Sequence, residues 1–361
     1  MRSLTWIAAI LVAVVACRSM ESEQPATQEQ SEQLLRDVGA LLETASERAA
    51  VVTAPNLYRI EIPAGTRVLP INIAWKDGNL TSLDPEVWLS QGYDGVEFVG
   101  AGIGKTILSG NGWHGAVNSG RHDGIVKLSN MTIHAGYDMG VRFGQQNLAR
   151  EIKPKFQAHL VDVEIIADAP PTGISRTKWL FFSYQCDVYM KRVTFRGKQA
   201  REHDAYGHGS AKYGWLIEDC DFESAGAEGF KIRSDDSETA SVQGDRVVIR
   251  NCKFSDWFQP WSDRGGAAIV LQGAAADVLI EKCIFTPGPA TATVAWNERS
   301  HCIEIAAESR SYDTITGVSG VGYGNGFVVV RDCIMEGKSL VDWRNSILRV
   351  ARNSGTQHAA R

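Results

Sequence analysis

Two short segments concentrate residue types that can do chemistry. In DAYGHG (204–209), Asp204, Tyr206 and His208 occupy alternate positions. In GFKIRS (229–234), Lys231 and Arg233 alternate in the same way, and Asp235 and Asp236 follow. Alternate residues of a strand share a face, so each set should project together. Lys231 and Arg233 supply cations for a ligand rich in carboxylates, such as a uronate polysaccharide. Tyr206, His208, Lys231 and Arg233 are also types that can remove a proton next to such a carboxylate, the first step of β-elimination. Asp204, Asp235 and Asp236 offer the oxygen donors that Ca²⁺ takes. The competing explanation is that a solvated sheet face must be polar and that its charges simply pair.

A third segment, GAGIGKT (100–106), raises the question of a nucleotide. The phosphate-cradling loop GxxxxGK[ST] needs its first glycine at position 99, which is Val99. Gly100, Gly102 and Gly104 give GxGxG, so the dinucleotide fingerprint fails as well. No helical pattern follows Thr106, and the run reads as a turn between strands. No nucleotide cofactor is expected.

These residues need a scaffold. The chain has 361 residues, a net charge of −5 and 35 glycines against 11 prolines, which favours many turns over long helices. Mixed charge with no basic cluster excludes a nucleic-acid footprint. Residues 1–17 are a basic start and an apolar run ending in Val14-Val15-Ala16-Cys17, the pattern of an export signal with a bacterial lipoprotein box. Cys17 would then carry lipid, giving a cell-envelope protein that meets the membrane only through that anchor; ordinary cleavage after Ala16, giving a secreted protein, and an uncleaved anchor are the alternatives. Residues 18–30 read as a disordered tether. In 31–50, Leu34, Leu35, Val38, Leu41, Leu42 and Ala45 form one helical stripe that needs an apolar surface to cover.

An internal repeat fixes the rest. LSNMTI (128–133), LVDVEI (160–165), MKRVTF (190–195), IEDCDF (217–222), IRNCKF (249–254), IEKCIF (280–285) and VRDCIM (330–335) are registered hexapeptides. Positions one, four and six are apolar or Cys, and position three is Asn, Asp, Arg or Lys. Period-two alternation breaks between positions one and four, and one turn residue at position three restores it. Each unit is thus a strand, a sharp bend and a second strand facing the same interior.

Coils of about 30 residues built this way resemble the right-handed parallel β-helix of the pectate lyase-like superfamily, over residues 57–350 or so. The resemblance implies an all-β solenoid domain over 51–350 with eight or nine coils, capped by the helix at 31–50, and a disordered tail at 351–361. Cys220, Cys252, Cys283 and Cys333 share position four and should stack inside as thiols, since the interstrand spacing exceeds what a disulfide spans.

In that superfamily, substrate lies along the strand preceding each two-strand unit. Here the implied outward row is Arg142, Phe181, Tyr206, Lys231, Val270 and Glu304, with Gly144, Ser183, His208, Arg233, Gln272 and Ala306 beside it. Arg142 and Glu304 join the substrate-binding candidates. So do Trp257, Phe258 and Trp261 of the loop SDWFQPWSDRGG (255–266), whose rings could stack on sugars. The segment EHDAYGHG (202–209) resembles an E-H-G-I-Y stretch found in many bacterial β-helix proteins. GHG followed by KIR also resembles polygalacturonase motifs, but the Arg and Lys are exchanged and the aspartate motifs of that family are missing, which disfavours hydrolysis by paired carboxylates. The expectation is an exported β-helix protein that binds an acidic polysaccharide and cleaves it by β-elimination, with Ca²⁺ as the candidate cofactor. The alternative is a non-catalytic, surface-anchored glycan-binding scaffold.

Overall fold

Asn and Asp tolerate a left-handed backbone, and the bend at position three of each hexapeptide requires one. In the computed structural model all seven such residues adopt it: φ is 54° at Asn130, 56° at Asp162, 52° at Arg192, 55° at Asp219, 54° at Asn251, 52° at Lys282 and 54° at Asp332. The structure describes residues 55–67, 71–73, 83–110, 115–120, 122–136, 139–144, 156–167, 177, 179–197, 200, 202–208, 214–233, 246–257, 267–272, 277–288, 302–306, 328–336, 340–342, 348–351 and 354–355. The export signal with Cys17, the tether and the helix expected at 31–50 lie outside them.

A representative coil consists of Trp215–Glu218, the bend, Asp221–Glu223 and Phe230–Arg233. The next repeats it as Arg246–Arg250, Lys253–Ser255 and Ile269–Gln272. Every strand pairing between them is parallel and in register: Ile217 with Ile249, Phe222 with Phe254, Phe230 with Ile269. The two strands flanking each bend merge into one 17-stranded sheet, and the third strands form a separate nine-stranded sheet. The protein is therefore a parallel β-helix, with nine coils represented among the described residues. Among the described residues the one α-helix is the short Glu86–Leu89.

The interior is a column of registered side chains. Phe195, Phe222, Phe254 and Phe285 stack with nearly parallel rings, their centroids 4.9, 4.5 and 5.1 Å apart in succession. Cys220, Cys252, Cys283 and Cys333 are buried beside them as thiols. Each sulfur reaches the carbonyl two residues back, at 3.1–3.3 Å.

The glycine run turns the chain between Gly95–Gly100 and Thr106–Ser109, with Gly102 at φ 137° and Gly104 at φ 73°. Thr106 opens a strand there, and its hydroxyl accepts the Ala101 N–H at 2.8 Å. At the other end, Leu348–Ala351 pairs with Val328–Arg331, and Ser354–Gly355 pairs with Ile334–Met335. Strand pairing thus continues past the predicted domain limit at 350.

Charges on the bend-side faces are paired from coil to coil. Arg192 grips Asp162 through two nitrogens at 2.6 and 2.8 Å, and Arg196 bridges Glu164 and Glu223. Arg250 and Arg331 likewise hold Glu218 and Glu281. On these faces the structural explanation of surface charge holds.

Candidate functional site

The nine-stranded sheet carries the predicted site, and its register aligns Asn72, Asn118, Arg142, Phe182, Tyr206, Lys231, Val270, Glu304 and Val341 in one row. Tyr206 pairs with Lys231 and His208 with Arg233, the strand neighbours that alternation implies. For His208, Arg233 and Glu304 the structure describes backbone alone. Phe258, Trp261, Asp235 and Asp236 lie outside the described residues.

Three predicted placements are corrected. Phe181 points into the core, and Phe182 takes its place in the outward row. Leu180 and Phe181 both belong to the core, so strict alternation fails in Trp179–Tyr184. Trp257 is 1 % exposed and packs in the core, which removes it as a sugar platform. Asp204 is fully buried rather than displayed beside Tyr206. Its Oδ1 stands where a side chain on Gly197 would be, and neither oxygen has a hydrogen-bond partner among the described residues. Burial, and then the nearby Glu223 charge, push its pKa well above the usual carboxylate range. A neutral, enclosed carboxyl is unsuited to Ca²⁺. No cluster of three or more metal-ligating side chains occurs among the described residues.

What the row does assemble is an aromatic ledge whose inner rings, Phe182 and Tyr206, are buried, with Trp179 partly exposed beside them. Trp179 stacks on Phe182 with centroids 4.9 Å apart, and Tyr206 closes against both at 5.6 and 5.8 Å. A cation flanks each end. The Arg142 guanidinium lies 5.9 Å from the Phe182 centroid, and the Lys231 ammonium lies 5.9 Å from that of Tyr206.

Behind the ledge runs a chain of polar groups that sequence reasoning passed over. The Trp179 indole N–H donates to Glu202 Oε2 at 3.1 Å. That oxygen lies 3.9 Å from His203 Nε2, while His203 Nδ1 lies 2.5 Å from Glu228 Oε2. The short contact is an ion pair by distance, without the angle of a hydrogen bond. The other oxygen of Glu228 receives the Lys231 ammonium at 3.4 Å. Glu202, His203 and Glu228 are 6 %, 1 % and 3 % exposed, so a ligand reaches the ends of this chain and not its middle. Burial pushes the Glu228 pKa up, but the charges of His203 and Lys231 and their contacts outweigh burial and hold it down at about 2. Glu228 is therefore a buried carboxylate kept ionised by its contacts with His203 and the Lys231 ammonium, the arrangement that makes a buried charge tolerable.

The missed signal was in plain view. Glu202 and His203 directly precede the strand residues singled out, and Glu228 precedes Lys231 by three positions. Period-two reasoning began at Asp204 and at Lys231, and so did not weigh the residues just before each strand.

No family model matches the sequence, and no curated protein matches it. Among solved structures the chain is similar to a pectin methylesterase from carrot, with 11 % identity over 86 % of this chain and 77 % of that one and a TM-score of 0.31. At that score the likeness carries no argument, and the fold rests on the strand pairing above.

Proposed function

We propose that this chain binds an acidic polysaccharide along its nine-stranded face and breaks it by β-elimination beside His203–His208 and Phe230–Arg233. The observation that supports binding is the partly exposed Trp179 ring, backed by the buried Phe182 and Tyr206, with a cation near each end of the three. Aromatic faces take the apolar faces of sugar rings, and the cations take carboxylates. In the elimination, a base removes the proton next to a uronate carboxylate, and the carbon–oxygen bond to the leaving sugar breaks as a carbon–carbon double bond forms. Lys231 and Arg233 neutralise the charge that develops on the carboxylate, and Tyr206 or His208 serves as the base. In the same proposal the protein is exported and held at the cell envelope through lipid on Cys17, and Ca²⁺, if bound, would be held through the carboxylates of Asp235 and Asp236 and would supply positive charge to uronate carboxylates.

One observation favours the non-catalytic reading. Tyr206 is 7 % exposed and His203 1 %, so neither stands open to a substrate. A panel of polysaccharides decides between the two, assayed with and without Ca²⁺ for the ultraviolet absorbance of unsaturated products and, in parallel, for binding. Absorbance that grows with a uronate polymer and fails with neutral polymers is the expected result. Binding without product leaves a scaffold, and absence of both removes the polysaccharide assignment.

A further inference from the structure

Lys231 is the cation at the centre of the proposed binding face, yet its side chain is only 15 % exposed and reaches back toward Glu228. At 3.4 Å, the Lys231–Glu228 contact is longer than the 2.7–2.9 Å or so of a full charge-assisted bond. Glu228 is not free to close on it, because its other oxygen is held against His203 at 2.5 Å. His203 is in turn flanked by Glu202, and Glu202 is anchored by the indole of Trp179. The ammonium is thus suspended between a buried carboxylate on one side and the Tyr206 ring on the other. A long lysine side chain with several rotatable bonds would otherwise sample many positions.

We propose that Glu228 is a positioning residue, buried and out of reach of the ligand, which fixes the Lys231 ammonium over Tyr206 and so gives the face its preference for anionic over neutral glycans. The proposal rests on the polysaccharide reading above. It makes a prediction opposite in sign to simple charge counting. Removing a negative charge near a polyanion site should strengthen binding if only net charge matters. If Glu228 holds Lys231 in place, its removal weakens binding of the anionic ligand, because the freed ammonium must be ordered again each time.

The test compares polygalacturonate with its methyl-esterified, uncharged form, which keeps the same sugar backbone. Wild-type protein should prefer the acid form. In Glu228→Gln that preference should fall about tenfold, the worth of one well-placed charged contact, with binding of the ester unchanged. Glu228→Asp, too short to reach both His203 and Lys231, should recover part of it. Unchanged or stronger binding of the acid form by Glu228→Gln overturns the proposal. A second measurement needs no glycan: the rate at which an amine-acylating reagent modifies Lys231, read by peptide mass spectrometry. Release of the ammonium should raise that rate severalfold in Glu228→Gln, and an unchanged rate refutes the role whatever the glycan result. If wild type binds neither polymer, the function assignment fails while the acylation rate still decides whether Glu228 positions Lys231. Should Glu228→Gln fold poorly because the buried His203 loses its partner, the double variant His203→Gln/Glu228→Gln removes both members, and the same two measurements apply.

Discussion

Asp204 shows how much a single residue's surroundings decide. Its sequence neighbours suggested an exposed ligand for a cation, but the side chain is enclosed against Gly197 with neither oxygen hydrogen-bonded among the described residues. Its pKa is raised, first by burial and then by Glu223. The folded protein therefore keeps a proton that the unfolded chain releases near pH 4. An acid raised in this way costs stability as pH climbs from the unfolded value toward the folded one, and the full cost is present above both. Asp204→Asn removes the ionisation while keeping the shape. It should raise Tm at pH 7, with a gain that shrinks to nothing by about pH 4; a Tm difference independent of pH would show that the carboxyl is partnered after all. Alternation could not have revealed this. It presumes that facing reverses at every residue, whereas His203 and Tyr206 share the outer cluster, their rings 4.9 Å apart, with two positions turned away between them.

At the scale of the element, the bend was the most legible feature, because its requirement is local. A left-handed residue is needed once per hexapeptide, and the third position supplies it seven times. Asn and Asp meet that need cheaply, and the exceptions are informative. Arg192 at φ 52° is tied to Asp162 through a bidentate ion pair. Lys282 at φ 52° is exposed, and its backbone N–H donates to Arg331 O at 3.1 Å. For a residue other than Gly, Asn or Asp, this conformation costs roughly 1–2 kcal/mol. Lys282→Asn should therefore stabilise by about 0.5–1 kcal/mol, seen in urea as a higher midpoint at unchanged slope. No gain would mean that the lysine stem contributes packing equal to the strain. The strand Trp179–Tyr184 was the least legible. WLFFSY is apolar and aromatic through its first four positions, so its pattern carries no parity, and a shift of one residue put Phe181 where Phe182 belongs. Trp257 misled for a related reason: an aromatic residue beside polar loop sequence can face either way, and here the core takes it.

The whole molecule is a stack in which each coil touches its neighbours and little else, so its stability should be a sum of coil terms and interfaces between adjacent coils. The phenylalanine column tests this, because Phe254 packs between Phe222 and Phe285 at 4.5 and 5.1 Å and is 1 % exposed. Phe254→Ala leaves a cavity that the paired strands on either side cannot collapse, and should cost about 3–5 kcal/mol. In a nearest-neighbour stack that loss is local. Hydrogen exchange should show the largest fall in protection in Trp215–Glu218, Arg246–Arg250 and Asp277–Glu281, while Ile125–Ala135, several coils away, keeps its protection. Equal loss in every coil would instead show that the rod opens as one unit. The difference matters for the site, since Phe230–Arg233 follows Phe222 on the same coil and Gly229 packs against Phe254 from beneath the strand. Under local opening, Phe254→Ala should loosen Lys231 and Glu228 with their strand and weaken glycan binding at temperatures where the first coils remain folded. A variant that keeps full binding until global unfolding would show that the face is held by its own strand pairing rather than by the column behind it.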